Sequence, residues 1–158
     1  MDEARLFFDT FLSPIGRLYI VFAGKKLAGI SMKKPSGVKA GAAPGPFKAE
    51  LSAYFSGRLG RFKQEIALLE GTEFERQVWL GIKGVPYGEM RTYKWLSEQI
   101  GRPGAYRAVG QALSKNPIPI VLPCHRIIES DGHIGGYSGG GVEIKRRLLD
   151  MEYYHSIR

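Results

Sequence analysis

A chain of 158 residues with 44% hydrophobic and 11% aromatic side chains has the length of one domain or two small ones and enough apolar content to fold on its own. Its apolar runs, such as Ile118 to Leu122, fall far short of the roughly 20 residues of a membrane span, and the acidic start Met1-Asp2-Glu3 is unlike a signal peptide, so no membrane attachment is expected. A net charge of +8 favours an acidic partner such as nucleic acid, while the single Cys124 excludes an internal disulfide and makes no zinc-ligand spacing with His125, His133 or His155, which suits a reducing, cytoplasmic setting.

Leu6 to Phe11 and Arg17 to Phe22 are β-prone apolar runs separated by Ser13-Pro14-Ile15-Gly16, and Leu27 to Met32 follows after Ala23-Gly24-Lys25-Lys26. They predict a three-stranded antiparallel meander. Lys33 to Pro46 is rich in turn formers without apolar periodicity and is expected to be a mobile surface loop. A short helix should follow, with Phe47, Leu51, Tyr54 and Phe55 on one side. After Glu70-Gly71 the pattern changes. Thr72-Glu73-Phe74-Glu75 is a capping box, and Phe74, Val78, Trp79 and Ile82 recur at helical spacing, so a domain boundary is placed near Gly71, dividing residues 1–70 from 71–158.

Val85-Pro86-Tyr87-Gly88 reads as a turn, and Thr92 as the N-cap of a helix that buries Trp95, Leu96 and Ile100 before Gly101. A second helix, Ala105 to Lys115, has Ala105, Ala108, Val109, Ala112 and Leu113 on one face and Arg107, Gly110, Gln111, Ser114 and Lys115 on the other. Two helices joined by Gly101-Arg102-Pro103-Gly104 have helix-turn-helix form, in which the second helix enters a groove. Such pairs are also common as plain packing units. Between Arg91 and Arg126 there are six basic residues and one acidic residue, Glu98, and this clustering favours the DNA reading. Gly110 would let another backbone approach the helix closely.

Asn116 to Ile128 carries the chemistry-bearing pair Cys124-His125, flanked by Pro119, Pro123 and Arg126 and followed by the glycine-rich stretch Gly135 to Gly141. A lone cysteine in an apolar run is often inert packing. A nucleophilic cysteine instead needs a neighbouring base or positive charge to become thiolate, and His125 can supply the base. On an extended strand, neighbours point to opposite faces, so a bridging water between Cys124 and His125 is expected, with a carboxylate holding the imidazole.

Pro123-Cys124-His125-Arg126, with Asn116-Pro117 before it and Gly136-Tyr137-Ser138-Gly139 after it, resembles the active-site signature of the O6-alkylguanine-DNA alkyltransferases. The similarity extends through Phe74-Glu75-Arg76-Gln77-Val78-Trp79, Val85-Pro86-Tyr87-Gly88 and Arg107-Ala108-Val109-Gly110, and ends in Leu148-Leu149-Asp150-Met151-Glu152. It covers Gly71 to Glu152 closely, whereas the first 70 residues resemble the family only in the Ser13 to Gly16 hairpin and the general layout.

The resemblance implies a small ribonuclease H-like α/β domain with an antiparallel sheet, followed by a mainly helical winged helix-turn-helix domain. It implies single-turnover repair in which Cys124 accepts the alkyl group of O6-alkylguanine, with His125 as water-mediated base, Glu152 orienting His125, Asn116 bracing the turn and Tyr93 donating a proton to the leaving base. Arg107 would fill the gap left by the flipped nucleotide, or contact phosphate. Gly110, Gln111 and Ser114 would face DNA, the main chain at Cys124 and Ile127 would read the guanine amino group, and Tyr137, Ser138 and Gly139 would close over the base. The implied partner is double-stranded DNA containing O6-alkylguanine, bound by a monomer with no metal and no cofactor. Two rivals share these residues: a lesion sensor that binds without reacting, and a cysteine hydrolase that turns over.

Overall fold

The computed structural model describes residues 5–137 and 139–157. Three strands, β1 (Leu6–Ser13), β2 (Gly16–Ala23) and β3 (Lys26–Ser31), form the antiparallel meander. Ser13 closes the first hairpin: its hydroxyl donates to Gly16 O at 2.6 Å and accepts from Ile15 N at 3.2 Å. The sheet is nevertheless mixed rather than antiparallel. A two-residue strand, β4 (Lys39–Ala40), lies parallel to β1 inside the segment expected to be a mobile loop, giving the order β3-β2-β1-β4. Asp9 explains it. Its carboxylate accepts from Ala43 N at 2.9 Å and pairs with Lys48 at 2.7 Å, clamping the returning chain to the free edge of β1. A long-range carboxylate contact of this kind leaves no trace in local turn propensity.

Helix α1 (Gly45–Phe55) starts with Pro46 in its first turn, where a missing N–H costs nothing, and buries Phe47, Leu51, Tyr54 and Phe55 against the sheet. Phe22 meets Phe47 edge-on at 5.7 Å between centroids. The following chain doubles back on β3 through Leu27 N to Glu65 O and Ala67 N to Leu27 O.

The second half is mainly helical: α2 (Glu73–Gly81), α3 (Tyr93–Gln99), α4 (Tyr106–Ser114) and α5 (Val142–Ser156), with short parallel strands β5 (Arg91–Thr92) and β6 (Ile127–Ile128). The capping box closes α2 as the sequence suggests, with Glu75 N donating to Thr72 Oγ1 and Thr72 N to Glu75 Oε1. Thr92 caps α3 through Trp95 N at 3.0 Å. Trp79 fixes α2 against α4 by donating its indole N–H to Ala112 O at 2.7 Å. Several expected burials differ. Ala108 is exposed because α4 buries only Val109, Ala112 and Leu113, Ile100 is half-buried, and Trp95 is half-buried under the Arg91 guanidinium, 5.7 Å from its ring. Buried apolar residues from Ile15 to Leu148 form one continuous core spanning both halves.

Candidate active site

The stretch before Cys124 is a turn, not the extended strand assumed from its apolar run. Pro119 and Leu122 bridge across it, Ile120 adopts φ +77°, and Cys124–Arg126 form one 3-10 turn. Asn116 spans the bend, donating its amide to Leu122 O at 2.8 Å and accepting from Ile118 N at 3.0 Å. Prolines at 117, 119 and 123 remove donors that the turn would otherwise have to satisfy.

Behind Cys124 lies a buried polar cluster centred on Glu152. His125 Nε2 stands 2.6 Å from Oε2, Arg126 donates from Nε at 2.8 Å and from Nη2 at 3.0 Å, Tyr54 donates its hydroxyl at 2.5 Å, and Gly88 N approaches at 3.4 Å. Burial opposes the Glu152 charge, but His125 and Arg126 outweigh it and hold the carboxyl well below its usual range. An ionised Glu152 accepts only, so the His125 proton belongs on Nε2 and the lone pair on Nδ1. That Nδ1 is buried and has no partner among the described residues. Burial also lowers the His125 pKa, with Glu152 pulling the other way, so the ring is neutral near pH 7 and able to take a proton.

Burial pushes the Cys124 thiol up to about 11, with the Asn116 amide and the Lys145 ammonium favouring thiolate. At rest Cys124 is therefore a thiol. Lys145 is itself buried, donating to Ile127 O at 2.6 Å and Gly136 O at 3.2 Å, and burial lowers its pKa to about 8 although Cys124 and Glu129 pull it upward.

Cys124 forms part of the wall of a cavity of about 350 Å³ shared with Tyr93, Gly110, Leu113, Ser114, Gly136 and Tyr137. That volume falls in the lower range of small-molecule sites. Tyr93 enters from the start of α3, and burial raises its pKa, as do Glu129 and Cys124. Gly135, at φ +74°, passes so close that a Cβ there would lie 2.8 Å from Tyr93 Oη. Gly110 leaves open space on α4, since a Cβ built on it meets nothing within 4 Å. Tyr137 stands edge-on to the His125 ring at 6.3 Å.

Of the residues singled out in the sequence, the fold brings Cys124, His125, Glu152 and Asn116 into one buried unit, and Tyr93, Gly110, Ser114 and Tyr137 around the cavity. Arg107 and Gln111 are exposed on α4 outside the lining. Ile127 is fully buried, and its carbonyl already accepts from Lys145. Gly139 lines a separate groove with Lys115, Asn116 and Gly140. Ser138 lies outside the described residues.

The basic cluster also needs correction. Arg126 faces inward to Glu152 and Val85 O rather than outward, Arg91 pairs with Glu89, and Lys115 pairs with Glu75. Lys94, Arg102 and Arg107 remain as its exposed cations without an ion pair among the described residues, the Arg102 guanidinium lying over the Phe74 ring at 5.9 Å. Tyr54 and Lys145 went unrecognised. The spacing of Lys145, Leu148 and Glu152 along one buried face of α5 was the available signal for the lysine. Tyr54 resembled an ordinary core aromatic. As for metals, Glu129, Asp131 and His133 form the one group among the described residues that brings three possible ligand atoms within 4.8 Å, and all three are exposed.

Fold and site define a class: a protein with a small mixed sheet and five helices in which a single cysteine lines a cavity beside a helix pair, followed directly in the chain by the histidine of a buried His-Glu-Arg-Tyr cluster. Residues 73–154 match the family model for the 6-O-methylguanine DNA methyltransferase DNA-binding domain. A methylated-DNA–protein-cysteine methyltransferase of Mycobacterium tuberculosis is 43% identical over 152 residues, 92% of this chain and 91% of the relative. The crystal structure of M. tuberculosis OGT in complex with DNA superposes with a TM-score of 0.89 at 40% identity, covering 94% of each chain. That of the O6-methylguanine-DNA methyltransferase from Pyrococcus kodakaraensis superposes at 0.69 with 28% identity, covering 93% of this chain and 98% of that one. The chain belongs to the O6-alkylguanine-DNA alkyltransferase family.

Proposed function

We infer that this protein repairs O6-alkylguanine in DNA by transferring the alkyl group, once and irreversibly, to Cys124. The observation that carries the reading is a cavity-lining thiol followed directly in the chain by a buried histidine whose Nε2 is held by Glu152 and whose Nδ1 has no partner among the described residues. His125 Nδ1 takes the thiol proton through a bridging water, Glu152 and Arg126 stabilise the resulting imidazolium, and Lys145 favours the thiolate. The sulfur attacks the alkyl carbon in line, the S–C bond forms as the C–O bond breaks, and the electron pair passes into the guanine ring. Tyr93 donates the proton that neutralises the leaving base. A thioether does not hydrolyse, so no second turnover follows, and no cofactor is required.

A thiol in the wall of a cavity cannot reach a stacked base, so the lesion has to rotate out of the helix at an unstacking cost of a few kcal/mol. Helices α3 and α4 serve as a winged helix-turn-helix, with Arg107 entering the stack and Lys94 and Arg102 contacting phosphate. Gly110 and Ser114 border the flipped nucleotide, Gln111 faces the groove, and Tyr137 and Gly139 close over the base. Asn116 keeps the turn that presents the thiol. The main chain at Cys124 reads the guanine amino group, and Ile127 joins it through the second lone pair of its carbonyl. The sheet and α1 form the ribonuclease H-like first domain, bounded near Gly71. The protein acts as a cytoplasmic monomer on duplex DNA, and among the described residues no helix is long and apolar enough to cross a membrane.

The test is stoichiometry. With excess duplex carrying a single O6-methylguanine, repaired guanine should plateau at one per protein, and Cys124→Ser should yield none. Continued turnover, or repair by Cys124→Ser, overturns the proposal.

A further inference from the structure

Helix α4 puts four side-chain positions on one face. At about 100° per residue, Tyr106, Gly110, Leu113 and Ser114 share a face, and the last three line the Cys124 cavity. Tyr106 begins the row. It is 46% exposed, and among the described residues it has no hydrogen bond and no ring contact. A large aromatic left open at the first turn of a helix contributes little to the core, and Val109, Ala112 and Leu113 already fill the buried face of α4. The adjoining position is Arg107, whose guanidinium also has no partner among the described residues.

The surroundings select the ring's partner. Arg102 and Arg107 flank Tyr106, the nearest carboxylate in sequence is Glu98, and the chain carries a net charge of +8. The face is therefore suited to a polyanion that also presents flat apolar rings. One turn of helix, about 6 Å along the axis, separates Tyr106 from Gly110 at the cavity wall. Successive bases on one strand are about 3.4 Å apart, so a ring one turn from the cavity reaches a base one or two steps from a nucleotide held inside it.

We propose that Tyr106 stacks on the nucleobase flanking the lesion on the damaged strand, replacing the stacking that this base loses when the guanine rotates out. The proposal rests on the alkyl-transfer reading and adds a positioning residue to it. Arg107 and Tyr106 then have separate tasks, the arginine filling the gap in the duplex and the tyrosine holding the edge of that gap open. Base–aromatic stacking tolerates any sequence, since every base has a π-face. It thus supports a protein that must act wherever the lesion occurs.

The experiment uses the full chain in single-turnover transfer from three substrates: an O6-methylguanine duplex, the same duplex with an abasic residue at the flanking position, and free O6-methylguanine. Tyr106→Ala should slow transfer from the intact duplex about tenfold, in line with the loss of one stacked base. It should match the unaltered protein on the free base and on the flank-abasic duplex, while Tyr106→Phe and Tyr106→Trp keep the full rate on every substrate. Equal rates for Tyr106→Ala and the unaltered protein on the intact duplex overturn the stacking role. So does a Tyr106→Phe defect as large as that of alanine, which assigns the effect to the hydroxyl, or an alanine defect that persists on the free base or opposite the abasic flank. Failure of the unaltered protein to take methyl from any of the three substrates is a different result, which removes the alkyl-transfer reading itself.

Discussion

Replacing Glu152 with glutamine removes one negative charge from a site where four residues converge on it. Arg126, only 7% exposed, would keep its positive charge with no anion beside it, and Tyr54 and His125 would lose a charged acceptor. Removing one partner of a buried ion pair costs about 3–5 kcal/mol, a large share of the roughly 5–15 kcal/mol that holds a domain folded. For a chain of this size that corresponds to a melting temperature lower by about 6–20 °C. The chemistry should suffer separately. A neutral amide no longer holds the His125 proton on Nε2, so the tautomer with Nδ1 protonated becomes accessible and cannot accept from the thiol. General-base assistance contributes roughly 10²–10⁴-fold, and transfer should slow within that range at a temperature where the variant remains folded. Urea denaturation and single-turnover transfer from an O6-methylguanine duplex measure the two effects. A destabilisation under about 1 kcal/mol, the value of an exposed pair, refutes the burial argument. An unchanged transfer rate refutes the relay.

Tyr54→Phe removes one hydrogen bond to a charged acceptor and should cost about 1.5–3 kcal/mol in urea denaturation, with a smaller loss of transfer rate than Glu152→Gln because Arg126 still neutralises the carboxylate; equal losses for the two variants would contradict this. Gly135→Ala forces a Cβ at φ +74° to within 2.8 Å of Tyr93 Oη, so transfer should fall about 10–100-fold through displacement of that hydroxyl, and Tyr93→Phe should not be further impaired by adding it. The Cys124 thiol, at about 11 in the fold against 9.0 ordinarily, favours folding below pH 9, and that contribution is lost as pH rises through 11. The shift corresponds to about 3 kcal/mol, so the stability of the unaltered protein should fall relative to Cys124→Ser across that interval, and parallel curves would refute the burial of a neutral thiol. Because burial lowers the His125 pKa, the transfer rate should hold as pH falls to 6.5 and decline only below it; a decline centred above 6.5 would show the histidine to be less buried than described.

Much of the fold is visible in local chemistry. Alternating apolar runs mark the meander, and Thr72 and Thr92 mark helix starts, because strand and cap preferences act over a few residues. Strand β4 was invisible since it depends on Asp9 reaching a chain more than thirty positions away. The site divides in the same way. Cys124, His125 and Asn116 are neighbours in a motif, and Glu152 follows from its resemblance, whereas Tyr54 joins them only through a hydrogen bond from α1 to a residue of α5 98 positions away. Arg126 was misread for a simple reason: a count of charges along a sequence cannot distinguish a guanidinium facing solvent from one turned inward onto a carboxylate.

The central claim concerns the fate of one carbon atom. The protein should be incubated with a duplex whose O6-methyl group is isotopically labelled, then digested and its peptides weighed. The account predicts one labelled methyl on the peptide bearing Cys124, unmodified guanine in the DNA, and no label on any peptide of Cys124→Ser. Restored guanine without label on Cys124, or label on another residue, contradicts it.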